Sequence, residues 1–123
     1  MYQYDLIDGV EINGTLVKTI DIQPLSDSDK DTVSELVNKQ YEHIESNPNF
    51  NPVSEKHIQS IKGLMLLNEH ASASISAFGE QQAMVTYDDI CSLKMTVNDW
   101  NIVLTASMAV DEFHHGEKVE MFA

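Results

Sequence analysis

The first part of the chain, residues 2–22, is rich in β-prone apolar residues interspersed with polar ones and is predicted to form strands. Asn13-Gly14 separates two of these runs, at residues 10–12 and 15–22. Asn-Gly between β-prone runs indicates a type I′ hairpin turn, because both central residues of that turn need a positive φ. A two-residue loop predicts a β-hairpin in which Val10 lies opposite Val17.

This hairpin has no purely polar face. The pairing divides the apolar positions into two sets, with Val10, Ile12 and Val17 on one face and Ile7, Leu16, Ile20 and Ile22 on the other. An isolated hairpin is only marginally stable in water. We expect helices of the same chain to cover one face; the alternative is that a second subunit or a client protein covers the other.

Beyond the hairpin, apolar positions recur every three to four residues, which is the spacing of one face of an α-helix. Helices are predicted at about residues 27–46 and 54–78. Two capping-box patterns, Thr86-Tyr-Asp-Asp89 and Thr96-Val-Asn-Asp99, predict a short helix and then a longer one to about Phe113. The predicted fold is α+β and mainly α: an N-terminal β-hairpin followed by a helical body of about four helices.

The length of 123 residues fits a single domain. We divide the chain into a hairpin region at 1–24, a helical body at 25–113 and a polar, flexible tail at 114–123. The longest purely apolar run covers residues 64–67, whereas a membrane span needs about 20 residues. The start of the sequence lacks a signal-peptide pattern. We therefore expect a cytoplasmic protein that does not bind membranes.

The last predicted helix carries apolar residues on two sides. We assign Trp100, Val103, Leu104 and Met108 to the core. A small domain does not easily bury two sides of a terminal helix, so the other side is predicted to bind a client or a second subunit. This predicted client surface consists of Ile102, Ala106, Ala109 and Phe113, with Leu66, Ala73 and Ala77 from the predicted helix at 54–78. The alternative is that both sides belong to the core.

The charge balance limits the expected partners. The sequence has 20 acidic and 7 basic residues and a net charge of −13, and every basic residue is lysine. Arginine is the preferred side chain for phosphates and for guanine edges. Its absence, together with the negative charge, argues against binding to nucleic acid and to anionic membranes.

No sequence motif supports catalysis, a metal or a cofactor. Asp27, Asp29 and Asp31 have the initial spacing of a calcium loop, but later positions lack the Gly and Glu that the loop needs. Helix capping explains these aspartates better. The five histidines have no zinc-site spacing. Cys91 follows two aspartates, lacks the electropositive surroundings of a nucleophile and is interpreted as a small core residue. We expect a protein that is not an enzyme.

Two segments of the chain carry a family resemblance. Residues 4–29 contain the Ile12-Asn-Gly14 turn, a following strand and the helix entry Pro24-Leu-Ser-Asp27. Residues 89–100 contain a short helix and then an Asp-Trp start of the last helix. Both segments resemble the tail assembly chaperones of tailed bacteriophages, especially the Mu-like branch. Together they cover about a third of the chain.

The resemblance implies a non-catalytic viral protein that acts in the cytoplasm of a bacterial host. Such chaperones bind the long, helical tape-measure protein, keep it soluble while tail-tube subunits assemble around it, and are absent from the mature virion. The implied partners are the tape-measure protein and, as a further candidate, the tail-tube protein. Six methionines suit this role because Met adapts to irregular partners. The excess apolar surface also predicts a homo-oligomer.

The competing function is an acidic DNA mimic, or another small phage inhibitor of a host defence enzyme. A mimic would concentrate its carboxylates in rows on one face. Here 7 of the acidic residues lie in residues 1–31 and 13 are spread over the remaining 92. The long predicted helices each carry only a few, mixed with lysine. This scatter favours the chaperone.

Overall fold

The computed structural model describes residues 2–79, 81–82 and 86–122, and the side chains of residues 2–79 and 86–111. Within these residues the fold is α+β and mainly helical, as predicted. In chain order the elements are β1 (Tyr2–Ile12), β2 (Thr15–Ile22), α1 (Asp27–Glu45), α2 (Glu55–Ser74), β3 (Ile75–Phe78), β4 (Gln81–Gln82), α3 (Tyr87–Ser92) and α4 (Val97–Phe122).

The predicted hairpin is confirmed. β1 and β2 pair antiparallel around Asn13-Gly14, with Val10 opposite Val17. Asn13 and Gly14 have φ values of 53° and 80°, and positive φ at both positions is what a type I′ turn needs. β3 pairs antiparallel with β2, and β4 with β3, so the order is β1-β2-β3-β4. β1 therefore forms one edge of the described sheet.

A bulge interrupts β1. Residues 6–9 lie opposite Lys18 alone, because the register shifts between Asp5 and Val10. Side chains alternate between the faces of a strand, so the extra residues change which of them face the core. The four residues predicted to share a face differ in burial: Ile20 and Ile22 of β2 are buried, whereas Leu16 near the turn and Ile7 in the bulge are exposed.

The predicted second helix is shorter than expected. α2 ends at Ser74, and Ile75–Phe78 form β3 instead of continuing the helix to residue 78. β3 pairs with β2, with Ile75 opposite Ile22 and Phe78 opposite Ile20, and all four side chains are buried. Burial against β2 thus outweighs the helical spacing of this segment, since tertiary context overrides local propensity.

The starts of α1 and α3 follow the predicted capping. Ser26 Oγ accepts the Asp29 N–H at 3.1 Å, and the Asp29 carboxylate accepts the Ser26 N–H at 3.4 Å. Thr86 and Asp89 form the same capping box at α3. Asp27 and Asp29 lie in the first turn of α1, where negative charge is favourable. The capping interpretation of this acidic segment is confirmed.

The main core cluster joins the sheet to α2, α3 and α4. Its buried members are Leu6, Val10, Ile20, Ile22, Ala71, Ile75, Phe78, Ile90, Val103, Ala106 and Val110. α1 contacts α2 and buries Val33, Val37 and Tyr41. In α3 the buried residue is Ile90, whereas Cys91 is exposed. The interpretation of Cys91 as a core residue is therefore wrong.

The last helix is longer than predicted. α4 continues to Phe122, whereas the sequence predicted an end near Phe113. The flexibility predicted for residues 114–123 concerns motion, which a helical backbone does not measure, and it stays a prediction. None of the described helices has the length and apolar composition needed to cross a bilayer.

Candidate functional site

An apolar stripe on α2 runs from the core to the surface. Leu64, Leu67 and Ala71 follow one another at spacings of three and four residues and therefore share one helix face. Ala71 is 1% exposed, Leu67 38% and Leu64 61%. The stripe thus begins inside the core at Ala71 and ends as exposed apolar surface at Leu64.

A second stripe lies on α4, where this helix meets α2. Leu104 packs against the core cluster, whereas Met108, one turn later, is 59% exposed. Two polar contacts join the helices: Trp100 Nε1 donates to Asn68 Oδ1 at 3.3 Å, and His70 Nε2 lies 2.6 Å from Asp111 Oδ2.

These two stripes form the main candidate binding surface. We call Leu64, Leu67, Leu104 and Met108 the α2–α4 apolar surface. Its residues are long and unbranched or γ-branched, and its helices are held in place by the side-chain contacts between them. Exposed Leu and Met side chains on paired helices can contact the apolar face of a partner helix.

The residues of the predicted client surface do not lie together. Ala77 in β3 and Ala106 in α4 are only 3% and 2% exposed, because both face the chain's own core. Their prediction as free surface is therefore wrong. Ile102, Ala109 and Ala73 are half-buried, and Leu66 is exposed. The side chain of Phe113 lies outside the described residues.

The orientation of α4 explains this correction. The side that packs on the sheet contains Val103, Ala106 and Val110, which are all buried. The small Ala106 side chain lets the helix approach the sheet closely. Met108, which the sequence assigned to the core, is on the exposed side. Apolar residue types alone did not identify which of the two sides faces the sheet.

A buried carboxylate links α4 to the bulge of β1. Asp99, in the first turn of α4, is 0% exposed. Its Oδ1 accepts the Ile7 N–H at 2.7 Å, and its Oδ2 accepts the Gly9 N–H at 2.8 Å. The Asp8 N–H lies 3.2 and 3.3 Å from the two oxygens. Three consecutive N–H groups thus surround one carboxylate, an arrangement known as a nest.

Gly9 and Thr96 complete this nest. Gly9 has a φ of 84°, and a Cβ atom there would lie 2.8 Å from the Val17 carbonyl oxygen. Thr96 Oγ1 accepts the Asp99 N–H at 3.2 Å and donates to Asp8 Oδ2 at 2.7 Å. The sequence identified Thr96 and Asp99 as a local capping pair but missed the long-range bonds to β1. The N–H donors of the nest are already bonded to Asp99 of the same chain. The nest therefore joins β1 to α4.

A second buried carboxylate lies where two clefts meet. Glu69 of α2 is 4% exposed, and its Oε1 accepts the Tyr87 N–H at 2.8 Å. Burial raises the pKa of the Glu69 carboxyl, the Tyr87 N–H opposes this effect, and Asp88 raises the pKa further. Glu69 lines clefts of about 310 and 330 Å³ on its two sides.

In the described part of the chain, no three His, Cys, Asp or Glu side chains are placed to hold a metal ion. The side chains of His114 and His115 lie outside that part. The expectation that the protein is not an enzyme stays a prediction.

Comparison of the chain with protein-family models, with curated proteins and with solved structures finds no match. The resemblance to phage tail assembly chaperones therefore stays a prediction that rests on the two sequence segments.

Proposed function

We propose that this protein is a non-catalytic chaperone for a long, helical, aggregation-prone client, and that the client is a phage tape-measure protein. The observation that carries the proposal is the α2–α4 apolar surface, which exposes Leu64, Leu67 and Met108 to solvent. An amphipathic client helix can place its apolar face on such a surface. Met adds adaptability, because its unbranched side chain fits partners of different shape.

The size of this surface suits reversible binding. Full burial of one Leu or Met side chain contributes about 1.5–3 kcal/mol. Association itself costs about 4–15 kcal/mol in lost freedom of motion. Leu64, Leu67 and Met108 are only partly exposed and Leu104 already packs against the core, so each contributes less than this maximum. The surface therefore supports a complex that forms and dissociates, as required of a chaperone that tail-tube subunits displace.

The charge supports the same function. A net charge of −13 makes chaperone-coated clients repel one another, which keeps them in solution. We propose that the protein acts in the cytoplasm of the bacterial host and is absent from the mature virion, as in the family that its sequence resembles.

We also propose that the protein is a homo-oligomer. Ile7 and Leu16 of the hairpin are exposed, and so is Val97 at the start of α4. The Leu16 side chain approaches Gly9, and Ile7 is bonded to Asp99, two residues from Val97, so the three belong to one region around the bulge. Sedimentation at micromolar concentrations should show a dimer or larger species that Ile7→Asp weakens. A strict monomer would contradict this proposal.

Co-purification from cells that express both proteins tests the client proposal. Leu67→Asp and Met108→Asp should abolish capture of the tape-measure protein, because each places a charge within the apolar contact. Both positions are exposed, so the thermal midpoint should change little. Val53→Asp is the matched control, since Val53 is a highly exposed apolar residue in the loop before α2. This control should retain the client.

Two results would contradict the assignment. Full capture by folded Leu67→Asp and Met108→Asp would show that the client binds elsewhere. Equal loss of capture in Val53→Asp would show that added charge, and not the α2–α4 apolar surface, controls the interaction.

A further inference from the structure

We infer that the cleft between α1 and α2 binds an organic cation with an aliphatic stem, whose charged end meets the Glu69 carboxylate. This inference does not depend on the proposed chaperone function, because the cleft is separate from the α2–α4 apolar surface.

The shape and lining of the cleft fit an aliphatic stem. Its volume is about 310 Å³, at the lower end of the range for small-ligand sites. Its walls include the side chains of Leu25, Val33, Leu36 and Ile75. Leu25, Val33 and Ile75 are themselves buried by the fold, so the walls are fixed by packing.

The charge of the cleft favours a cation. Among the described residues, its lining contains two carboxylates, those of Asp29 and Glu69, and no basic side chain. Asp29 already accepts the Ser26 N–H in the capping box of α1. Glu69 is the more buried of the two, and it opens on the cleft from α2.

Among the side chains that the structure describes, Glu69 has no counter-charge. Its hydrogen-bond partner is the Tyr87 N–H at 2.8 Å, a neutral donor, and the neutral Gln40 side chain lowers the pKa of its carboxyl. Across the described side chains, no lysine or histidine lies within ion-pair distance of Glu69. A buried carboxylate without a counter-charge is unfavourable. A bound ammonium or guanidinium group would supply the missing charge, whereas a neutral hydroxyl would not.

Two sources present this chemistry. One is a free alkylamine or alkylguanidine, and the other is a lysine or arginine side chain of a partner protein. Both combine a short apolar stem with a cationic end, so the cleft recognises the same group in either case.

Nuclear magnetic resonance titration with n-butylguanidinium tests the inference. The Tyr87 amide signal is the reporter, because this N–H donates to Glu69 Oε1. n-Butylguanidinium should shift it in a saturable manner. n-Butylurea, the neutral analogue of the same shape, should bind at least about tenfold more weakly. Guanidinium without a stem should also bind more weakly.

Three variants define the site. Glu69→Gln should lose the saturable shift, since it keeps an acceptor for Tyr87 and removes the charge. Asp31→Asn, an exposed carboxylate of α1, is the charge-matched control and should bind as the wild type does. Ala73→Leu should also lose binding, because Ala73 lines the cleft and a larger side chain fills it while Glu69 stays intact.

The outcomes separate the possibilities. Equal binding of butylurea, unchanged binding by folded Glu69→Gln and Ala73→Leu, or a shift that does not saturate would overturn the inference. If a helical peptide with one arginine binds at least about tenfold more tightly than butylguanidinium in a Glu69-dependent manner, the source is a partner protein. If it binds no more tightly, the source is a free cation.

Discussion

The described part of the chain buries two carboxylates, Asp99 and Glu69, and their surroundings are opposite. Asp99 receives three backbone N–H groups at 2.7–3.3 Å. Glu69 receives one backbone N–H, from Tyr87, and lines two clefts. Burial alone therefore does not show what a charged group does. The role of a buried charged group depends on the number of hydrogen-bond donors around it and on its access to a ligand.

The two carboxylates also act over different distances in the sequence. Asp99 bonds residues 90 to 92 positions away, whereas Glu69 bonds Tyr87, 18 positions away. Asp99 thus joins the first strand to the last helix, and Glu69 joins α2 to the start of α3. We expect changes at Asp99 to affect global stability and changes at Glu69 to act locally.

Asp99→Asn should have the largest effect. The variant keeps the side-chain shape but turns an NH₂ group toward backbone N–H donors, which leaves buried polar groups without partners. The expected loss in the free energy of unfolding is about 3 kcal/mol, measured by urea denaturation. Asp31→Asn, an exposed control, should change stability by less than about 0.5 kcal/mol. A loss below about 1 kcal/mol at Asp99 would remove the contrast with Glu69.

Glycine substitutions distinguish the close backbone contact at the nest from the strain of a positive φ alone. Gly9→Ala should lose about 2–3 kcal/mol, because it combines a positive φ with a clash against the Val17 carbonyl oxygen. Gly14→Ala has a similar φ of 80° but no neighbour within 4 Å, so it should lose only about 1 kcal/mol. Gly63→Ala, inside α2 with free space around it, should stabilise by up to about 1 kcal/mol. Equal losses at Gly9 and Gly14 would contradict the close approach.

Two threonines at helix starts test the contrast between a long-range contact and a local one. Thr96→Val should lose about 1–2 kcal/mol, because Thr96 both caps α4 and donates to Asp8 at 2.7 Å. Thr86→Val removes only a local cap at α3 and should lose less, about 0.5–1 kcal/mol. Thermal and urea denaturation measure both. The reverse order would show that the contact with Asp8 adds no stability.

The smallest expected effect is the contribution of Glu69 to the pH dependence of the free energy of unfolding. Burial raises the pKa of its carboxyl above the ordinary value of 4.5, so the folded protein holds this proton more tightly than the unfolded chain. Stability from this group is therefore present below that value and is lost as the pH rises through the raised pKa. Unfolding at several pH values should show Glu69→Gln gaining stability relative to the wild type over that interval. Glu35→Gln, an exposed carboxylate of α1, corrects for the removal of one charge, and equal profiles would contradict the prediction.

Short-range signals predicted the elements that depend on neighbouring residues. Asn13-Gly14 identified the hairpin, and Thr86 with Asp89 identified the start of α3, because turns and caps form within a few residues. Ile75–Phe78 was assigned to α2 because its partner strand lies more than 50 residues earlier. A strand that pairs over such a distance leaves no local signature that separates it from a helix end.

The candidate site shows the same limit. Thr96 and Asp99 were visible as a capping pair, but no local pattern indicates that the carboxylate bonds β1. Gly9 is the signal that could have suggested it, since a glycine inside a strand often marks a bulge or a close approach of backbone. The exposed face of α4 could not be assigned either, because apolar residues occur on both sides and only the position of the sheet distinguishes Ala106 from Met108.

The nest also has a consequence for the order of events during synthesis. Ile7, Asp8 and Gly9 are made long before Asp99, and the hairpin closes in about 1–10 μs, while contacts across 90 residues form late. During that interval the bulge keeps three N–H groups without their carboxylate, on the edge strand of the young sheet. Open edge strands pair readily with other chains. We expect the docking of α4 to be the event that ends this vulnerable period for each newly made molecule.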